Sequence, residues 1–201
     1  MTTINIPSMG GAKIAPHLRA AAASVAPGHC AVEVGVWLGA GTVEIARGLH
    51  PDAELHCFDR FCATADEVRK AKRFGVRLRH GEDTSPRVVD LVSPVHPLTI
   101  HRGDIAQATW CGKPIDLYVD DAAKQPDTFR HVMRTLGPSW VVGETIVILM
   151  DLHFWRRTGR EAHRCQQRFI DRHNGAFRRI RDLDQNGAMF RYVKPIRWSD
   201  V

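Results

Sequence analysis

The chain predicts an α/β fold, a doubly wound and mostly parallel sheet closed by an antiparallel hairpin. Short β-branched apolar runs recur at "CAVEVG", "AELHCFD", "PLTIHRGD", "PIDLYVDD" and "WVVGETIVILMD". They are apolar on both faces, as strands buried inside a parallel sheet are. Segments of helical period separate them, and regular strand–helix alternation is the signature of parallel strands joined by crossovers. After the fifth run, "GAFRRIRDLDQNGAMFRYVKP" alternates in two stretches about Asn186-Gly187, a hairpin turn signal.

Taken in order, residues 1–12, with Gly10 and Gly11, carry no element and form a flexible N-terminus, while 13–201 form one domain. "KIAPHLRAAAASVA" is helical and is stopped by Pro27-Gly28. The first strand runs into a glycine-rich turn, and a helix from Thr42 closes near His50-Pro51. After the second strand, residues 64–80 and 84–92 have helical character, followed by the third and fourth strands. "QPDTFRHVMRTLG" and "TGREAHRCQQRFIDRH" are helices on either side of the fifth strand. Ligands of such sheets bind outside the carboxyl ends of the strands, where strand order reverses. Glu33-Gly35, Asp59, Asp104, Asp120 and Asp151 each close a strand, so they are expected on one rim.

The bulk numbers narrow the class without choosing a function. With 201 residues, 44% apolar and 25% charged, the chain suits one ordinary globular domain. No apolar run approaches the roughly 20 residues of a membrane span. The N-terminus lacks the basic and apolar regions of a signal peptide. Five cysteines, odd in number and without a C-x-x-C pair, point to reduced thiols in the cytoplasm and away from a zinc site. The net charge of +6 attracts nucleic acid, anionic membrane or acidic small molecules and specifies none of them. It concentrates after residue 155 and in "EVRKAKRFGVRLRH".

The stretch "VEVGVWLGAGT" carries the first chemistry. Its glycines follow G-x-x-x-G-x-G after Glu33, which is neither the G-x-G-x-x-G of dinucleotide sites nor a lysine-bearing P-loop. A purely conformational role for these glycines is the alternative. Asp59 ends the second strand where an adenosine ribose would lie, and its two oxygens suit two ribose hydroxyls. Asp104, in "RGD" after the third strand, could serve an adenine amino group.

These residues, with "CFDRF", "HRGDIAQ" and "IDLYVDDAAKQPDTFRHVMRTL", resemble the class I S-adenosylmethionine-dependent methyltransferases, in the macrocin and sugar O-methyltransferase-like branch. The resemblance covers roughly residues 30–194. It implies a Rossmann-like, doubly wound sheet of seven strands, mostly parallel with a C-terminal antiparallel hairpin. It implies S-adenosyl-L-methionine as cofactor, with Glu33, Gly35, Gly39 and Gly41 around the methionine moiety and Thr42 opening the next helix. Asp59 and Arg60 then fall at the ribose, Asp104 and Ile105 near the adenine, and Asp120 beside them. Methyl transfer from a sulfonium is an in-line displacement, so such a protein positions donor and acceptor and excludes water. An oxygen acceptor also needs its proton removed.

The pattern breaks at the acidic cluster. Sugar-modifying relatives end the fourth strand in D-x-D and the fifth in D-D, a magnesium-binding set. Here Ala122 and Leu152 stand at two of those places. Asp120 and Asp151 remain as candidate catalytic carboxylates and Mg²⁺ ligands, with weak or absent metal dependence expected. The alternative is that they only bond backbone at strand ends. His153 is the candidate general base, although one histidine of eleven can equally be a packing residue. Arg156, Arg160, Arg164, Arg168 and Arg172 recur every four residues, a slanted stripe if they share one helix. That stripe is either a solvated face or a docking surface for phosphate, in an acidic acceptor or in RNA. The expected activity is methylation of a small-molecule acceptor at a hydroxyl, with no membrane partner. The resemblance implies that the basic segment between the second and third strands contacts the acceptor or a homodimer partner. An RNA- or nucleotide-directed methyltransferase and a cofactor-binding protein without catalysis are the rival readings. A nicotinamide-dependent oxidoreductase is disfavoured by the glycine spacing.

Overall fold

A computed structural model describes residues 13–184 and 186–201. The expected flexible segment 1–12 lies outside the described residues. Seven strands form one sheet: β1 (Cys30–Val34), β2 (Glu54–Asp59), β3 (Thr99–Arg102), β4 (Ile115–Asp120), β5 (Ile146–Leu149), β6 (Phe177–Leu183) and β7 (Gly187–Tyr192). Their order is β3-β2-β1-β4-β5-β7-β6. The first five pair in parallel, while β7 runs antiparallel to both β5 and β6. The chain moves outward from β1 to β3 and then returns to the other side of β1. Strand order therefore reverses between β1 and β4, and the crevice of such a sheet opens there.

Among the described residues seven α-helices accompany the strands: α1 (Ala15–Ala22), α2 (Ala40–Gly48), α3 (Ala65–Arg73), α4 (Ser85–Val92), α5 (Pro126–Leu136), α6 (Phe154–Thr158) and α7 (Cys165–Arg172). Strand residues alternate between two cores, one on each face of the sheet. Val147 and Leu149 join Val32, Tyr118, Phe129, Trp140 and Phe169 on the α5–α7 face. Ile146 and Ile148 join Leu18, Val43, Leu55, Val88 and Leu117 on the α1–α2–α4 face. Each core side chain removed from water contributes about 1.5–3 kcal/mol, so a sheet covered on both faces is the main source of stability.

Three expected elements are shorter than their sequence patterns. The helix of 64–80 stops at Arg73, because Gly75 adopts φ +73° and turns the chain. Its start is fixed by a capping box in which Thr64 and Glu67 exchange hydrogen bonds. Strand β5 begins only at Ile146, since Gly143 at φ +88° makes a turn of the preceding residues. The third change alters a functional expectation. Gly159, at φ +66°, ends α6 after five residues, and a 3₁₀ turn over Glu161–Arg164 precedes α7. Arg156 and Arg172 thus lie on different helices, and the five arginines do not form a continuous stripe.

Candidate active site

The site is built from the loops at the carboxyl ends of β1, β2, β4 and β5. Between β1 and α2 the chain makes a tight turn with Gly35 at φ +90°, Trp37 at +50° and Gly39 at +82°. Two of its glycines are required by the protein itself. A Cβ at Gly35 would lie 2.7 Å from the Ala122 Cβ and 3.0 Å from the Asp121 carbonyl carbon. One at Gly41 would lie 2.6 Å from Glu33 Oε1. At Gly39 space remains, with neighbours at 3.4 Å, and the left-handed backbone is the reason for glycine.

Glu33 does not face the crevice. It is 4% exposed, lies under α2 and accepts a hydrogen bond from the Thr42 hydroxyl at 2.5 Å. Burial pushes its carboxyl up to about 8, against the opposing pull of the Thr42 hydrogen bond. Thr42 is itself fully buried, so its hydroxyl serves Glu33 rather than a ligand at the surface. Both residues hold the glycine turn from beneath.

Asp59 holds the same turn from the side. Its Oδ2 accepts from the amides of Val36 (2.7 Å) and Trp37 (3.1 Å), and its Oδ1 from Phe61 N–H at 2.9 Å. A carboxylate has about four acceptor positions, so one remains, on Oδ1. Arg60 beside it is exposed. Asp104 is exposed at the end of β3 and caps the following 3₁₀ turn through Ala106 N–H, at 3.0 Å. Ile105, in that turn, is half-buried.

The two adjacent acids of β4 part company. Asp120 is fully buried and accepts from Tyr118 Oη (2.8 Å) and from the amides of Ala122 (3.1 Å) and Ala123 (2.9 Å). Tyr118 stands two residues earlier, on the same face of the strand. The expectation of Asp120 as catalytic group, cofactor contact and Mg²⁺ ligand does not meet this geometry. Its carboxylate ties off its own strand end, and burial raises its pKa.

Asp121 points the other way and meets β5. It shares the rim with Asp151, which is 7% exposed, and with Lys124. Lys124 Nζ stands 2.9 Å from Asp151 Oδ2 and 4.0 Å from Asp121 Oδ1. The Lys124–Asp151 contact is an ion pair without hydrogen-bond alignment, since Asp151 Oδ2 has no directed donor. Burial raises the Asp121 carboxyl to about 7, with Lys124 opposing and the charge of Asp151 adding to the rise. Two like charges this close favour retention of a proton. Asp121 and Lys124 were not singled out from the sequence. The available signal was the alternation of strand faces, which separates consecutive acids, and the D-x-x-K spacing of Asp121 and Lys124 on the turn into α5.

His153 begins α6 and lines a cavity of about 520 Å³ with Trp155, Arg156, Arg164, Gln167 and Arg179. Its Nδ1 and the Trp155 Nε1 are buried without partners there. Burial lowers its pKa, and Arg156 and Arg179 lower it further, so the imidazole is neutral and able to accept a proton. Of the five periodic arginines only Arg156 and Arg164 reach this cavity, stacked at 5.6 and 4.8 Å on Trp155.

No protein-family model and no curated protein matches the sequence. Solved structures do match in three dimensions. A Corynebacterium glutamicum protein from a structural-genomics programme superposes with TM-score 0.61 and 16% identity, over 96% of this chain and 85% of its own. The O-methyltransferase TomG of Streptomyces achromogenes, involved in tomaymycin synthesis and solved with SAM, gives 0.57 and 15%, over 95% and 83%. An rRNA methylase from Streptococcus thermophilus gives 0.54 and 14%, over 93% and 100%. The chain thus has the seven-strand fold of these structures, two of which are methyltransferases.

Proposed function

We propose that the chain is an S-adenosylmethionine-dependent methyltransferase acting on an oxygen of a small acceptor. The observation that carries this reading is the Asp121–Lys124–Asp151 cluster, set against a glycine turn that touches it at Gly35 and Ala122. A nucleotide-like ligand on the turn and a proton-handling group thereby share one crevice at the topological switch point. The residues present fit the cofactor: the turn is already formed, Asp59 keeps one acceptor position for a ribose hydroxyl, and Asp104 is exposed beyond β3. When bound, S-adenosylmethionine supplies the electrophilic methyl group.

The chain's own part is to orient the acceptor and take its proton. An acceptor hydroxyl beside Asp121 would pass its proton to that carboxylate, freeing its oxygen for the methyl group that a bound cofactor would release from its sulfur, leaving the thioether. A carboxyl near 7 is matched to this work at neutral pH. The proton then rests on the Asp121–Asp151 pair, and Lys124 remains the counter-ion. Mg²⁺ ligation does not fit well here. Among the described residues only Asp121 and Asp151 bring carboxylates together here, Asp151 already carries an ammonium at 2.9 Å, and Leu152 offers no donor. The five unpaired cysteines suit a reducing, cytoplasmic setting.

Calorimetric titration with S-adenosylhomocysteine followed by a labelled-methyl acceptor screen tests the reading. Binding in both wild type and Asp121→Asn, with transfer only in wild type, is the expected result. No binding at millimolar ligand refutes it. The exposed Arg156, Arg157 and Arg160 favour an RNA acceptor as second reading. Label retained on RNA, with affinity falling steeply as salt rises, would select it.

A further inference from the structure

At the opposite end of the sheet, three ligating side chains meet that share no sequence motif. Cys30 and Glu54 are cross-strand partners at the starts of β1 and β2, and His56 lies two residues further along the same face. The Cys30 thiol, a Glu54 carboxylate oxygen and a His56 ring nitrogen all lie within 4.8 Å of one another. Cys30 is fully buried and His56 is 6% exposed, whereas Glu54 reaches the surface.

We propose that Cys30, Glu54 and His56 form a Zn²⁺ site with three protein ligands that clips β1 to β2, with water as the fourth ligand. Sulfur, imidazole and carboxylate together suit zinc, while a thiol excludes Mg²⁺ or Ca²⁺ as the preferred ion. Zinc bond lengths of 2.0–2.3 Å make tetrahedral edges of roughly 3.3–3.8 Å, so the observed spacing requires only small rotations. His56 Nε2 is already 3.0 Å from Glu54 Oε2, on the side facing the site.

The surroundings supply what a bound imidazole needs. His56 Nδ1 is 3.0 Å from His101 Nε2, and His101 is fixed by stacking on Phe58 at 4.0 Å. With the metal on Nε2, His56 carries its proton on Nδ1 and donates it to His101, the outer contact that orients ligating histidines. Lys113 Nζ, 2.6 and 2.8 Å from the two Glu54 oxygens, is displaced from Oε2 and keeps Oε1. The site is remote from the rim, so it holds the first two strands in register and takes no part in methyl transfer.

The test uses the purified full chain loaded with one equivalent of Co²⁺ as spectroscopic probe, and Zn²⁺ in competition with a chromophoric chelator. A thiolate-to-cobalt band in the near ultraviolet is expected, absent in Cys30→Ser and retained in Cys62→Ser and Cys111→Ser. His101→Ala, which leaves all three ligands in place, is expected to weaken Zn²⁺ about 10–100-fold with an unchanged circular dichroism spectrum. If Cys30→Ser does not fold, Glu54→Gln and His101→Ala still decide through their affinities. A wild-type protein without the band, a band that survives Cys30→Ser, or affinities unmoved by both other variants would overturn the proposal.

Discussion

Replacement of Glu33 by Gln isolates the effect of a carboxyl buried under the glycine turn. Glu33 is 4% exposed, its one side-chain donor is Thr42, and its pKa is about 8 in the fold against an ordinary 4.5. The folded protein therefore binds a proton that the unfolded chain releases between those two values. Stability from this group is fully present below about 4.5 and is lost as pH rises toward 8, at about 1.4 kcal/mol per pH unit. Between pH 5 and 9 the loss is on the order of 4 kcal/mol. Glutamine imitates the protonated acid and cannot ionise. Glu33→Gln should match wild type within about 1 kcal/mol at pH 5 and exceed its stability by on the order of 4 kcal/mol at pH 9. Urea unfolding at fixed ionic strength across this range measures the difference, since all other titrations are common to both proteins. A difference constant with pH would show that Glu33 titrates normally, and the account of a neutral acid beneath the turn would be lost.

Other perturbations address the rim. Lys124→Met removes the cation that opposes protonation of Asp121 and Asp151, so the acidic limb of the methyl-transfer profile, expected near 7, should move up by about 1–3 units; an unmoved limb would exclude Asp121 as the base. Asp59→Ala should weaken S-adenosylhomocysteine by on the order of 2 kcal/mol in calorimetry and also lower the melting temperature, because three backbone donors lose their acceptor. A fall in melting temperature alone would confine Asp59 to holding the turn. Arg156→Ala should raise KM for an acidic acceptor more than Arg172→Ala, since Arg156, unlike Arg172, lines the cavity with His153, and both effects should shrink with salt. Equal, salt-independent effects would make these arginines a solvated surface.

What could be read from the sequence was what depends on local period and punctuation. The apolar runs gave away β1, β2, β4 and β5, because burial on two faces leaves a pattern in composition. Strand β3 and the mostly exposed β6 were read from position and alternation, and Gly187 of the expected turn opens β7. Gly75 and Gly159 were equally visible, but whether a glycine ends a helix depends on the φ it adopts, +73° and +66° here. Adjacent acids were harder. Asp120 and Asp121 differ in role only because one follows Tyr118 inward and the other reaches Asp151 across the sheet. Cys30, Glu54 and His56 were not legible at all, since strand register brings them together and no short spacing records it.

The glycine turn shows how site and fold depend on the same contacts. Glycines between a strand and a helix suggest a ligand that comes close to the backbone, yet at Gly35 and Gly41 the close neighbours are Ala122 and Glu33. Asp59 adds hydrogen bonds to the two amides that follow Gly35. The turn is therefore shaped by the chain before any ligand arrives, and little ordering entropy remains to be lost on binding. Gly35 also fixes where the turn meets Ala122, and Ala122 directly follows Asp121. Any change that lifts the turn must also displace the carboxylate expected to take the acceptor's proton. On the proposed reading one packing contact would set both cofactor seat and base, and the approach of Ala122 and Asp121 is reason enough for glycine at position 35 whatever binds there.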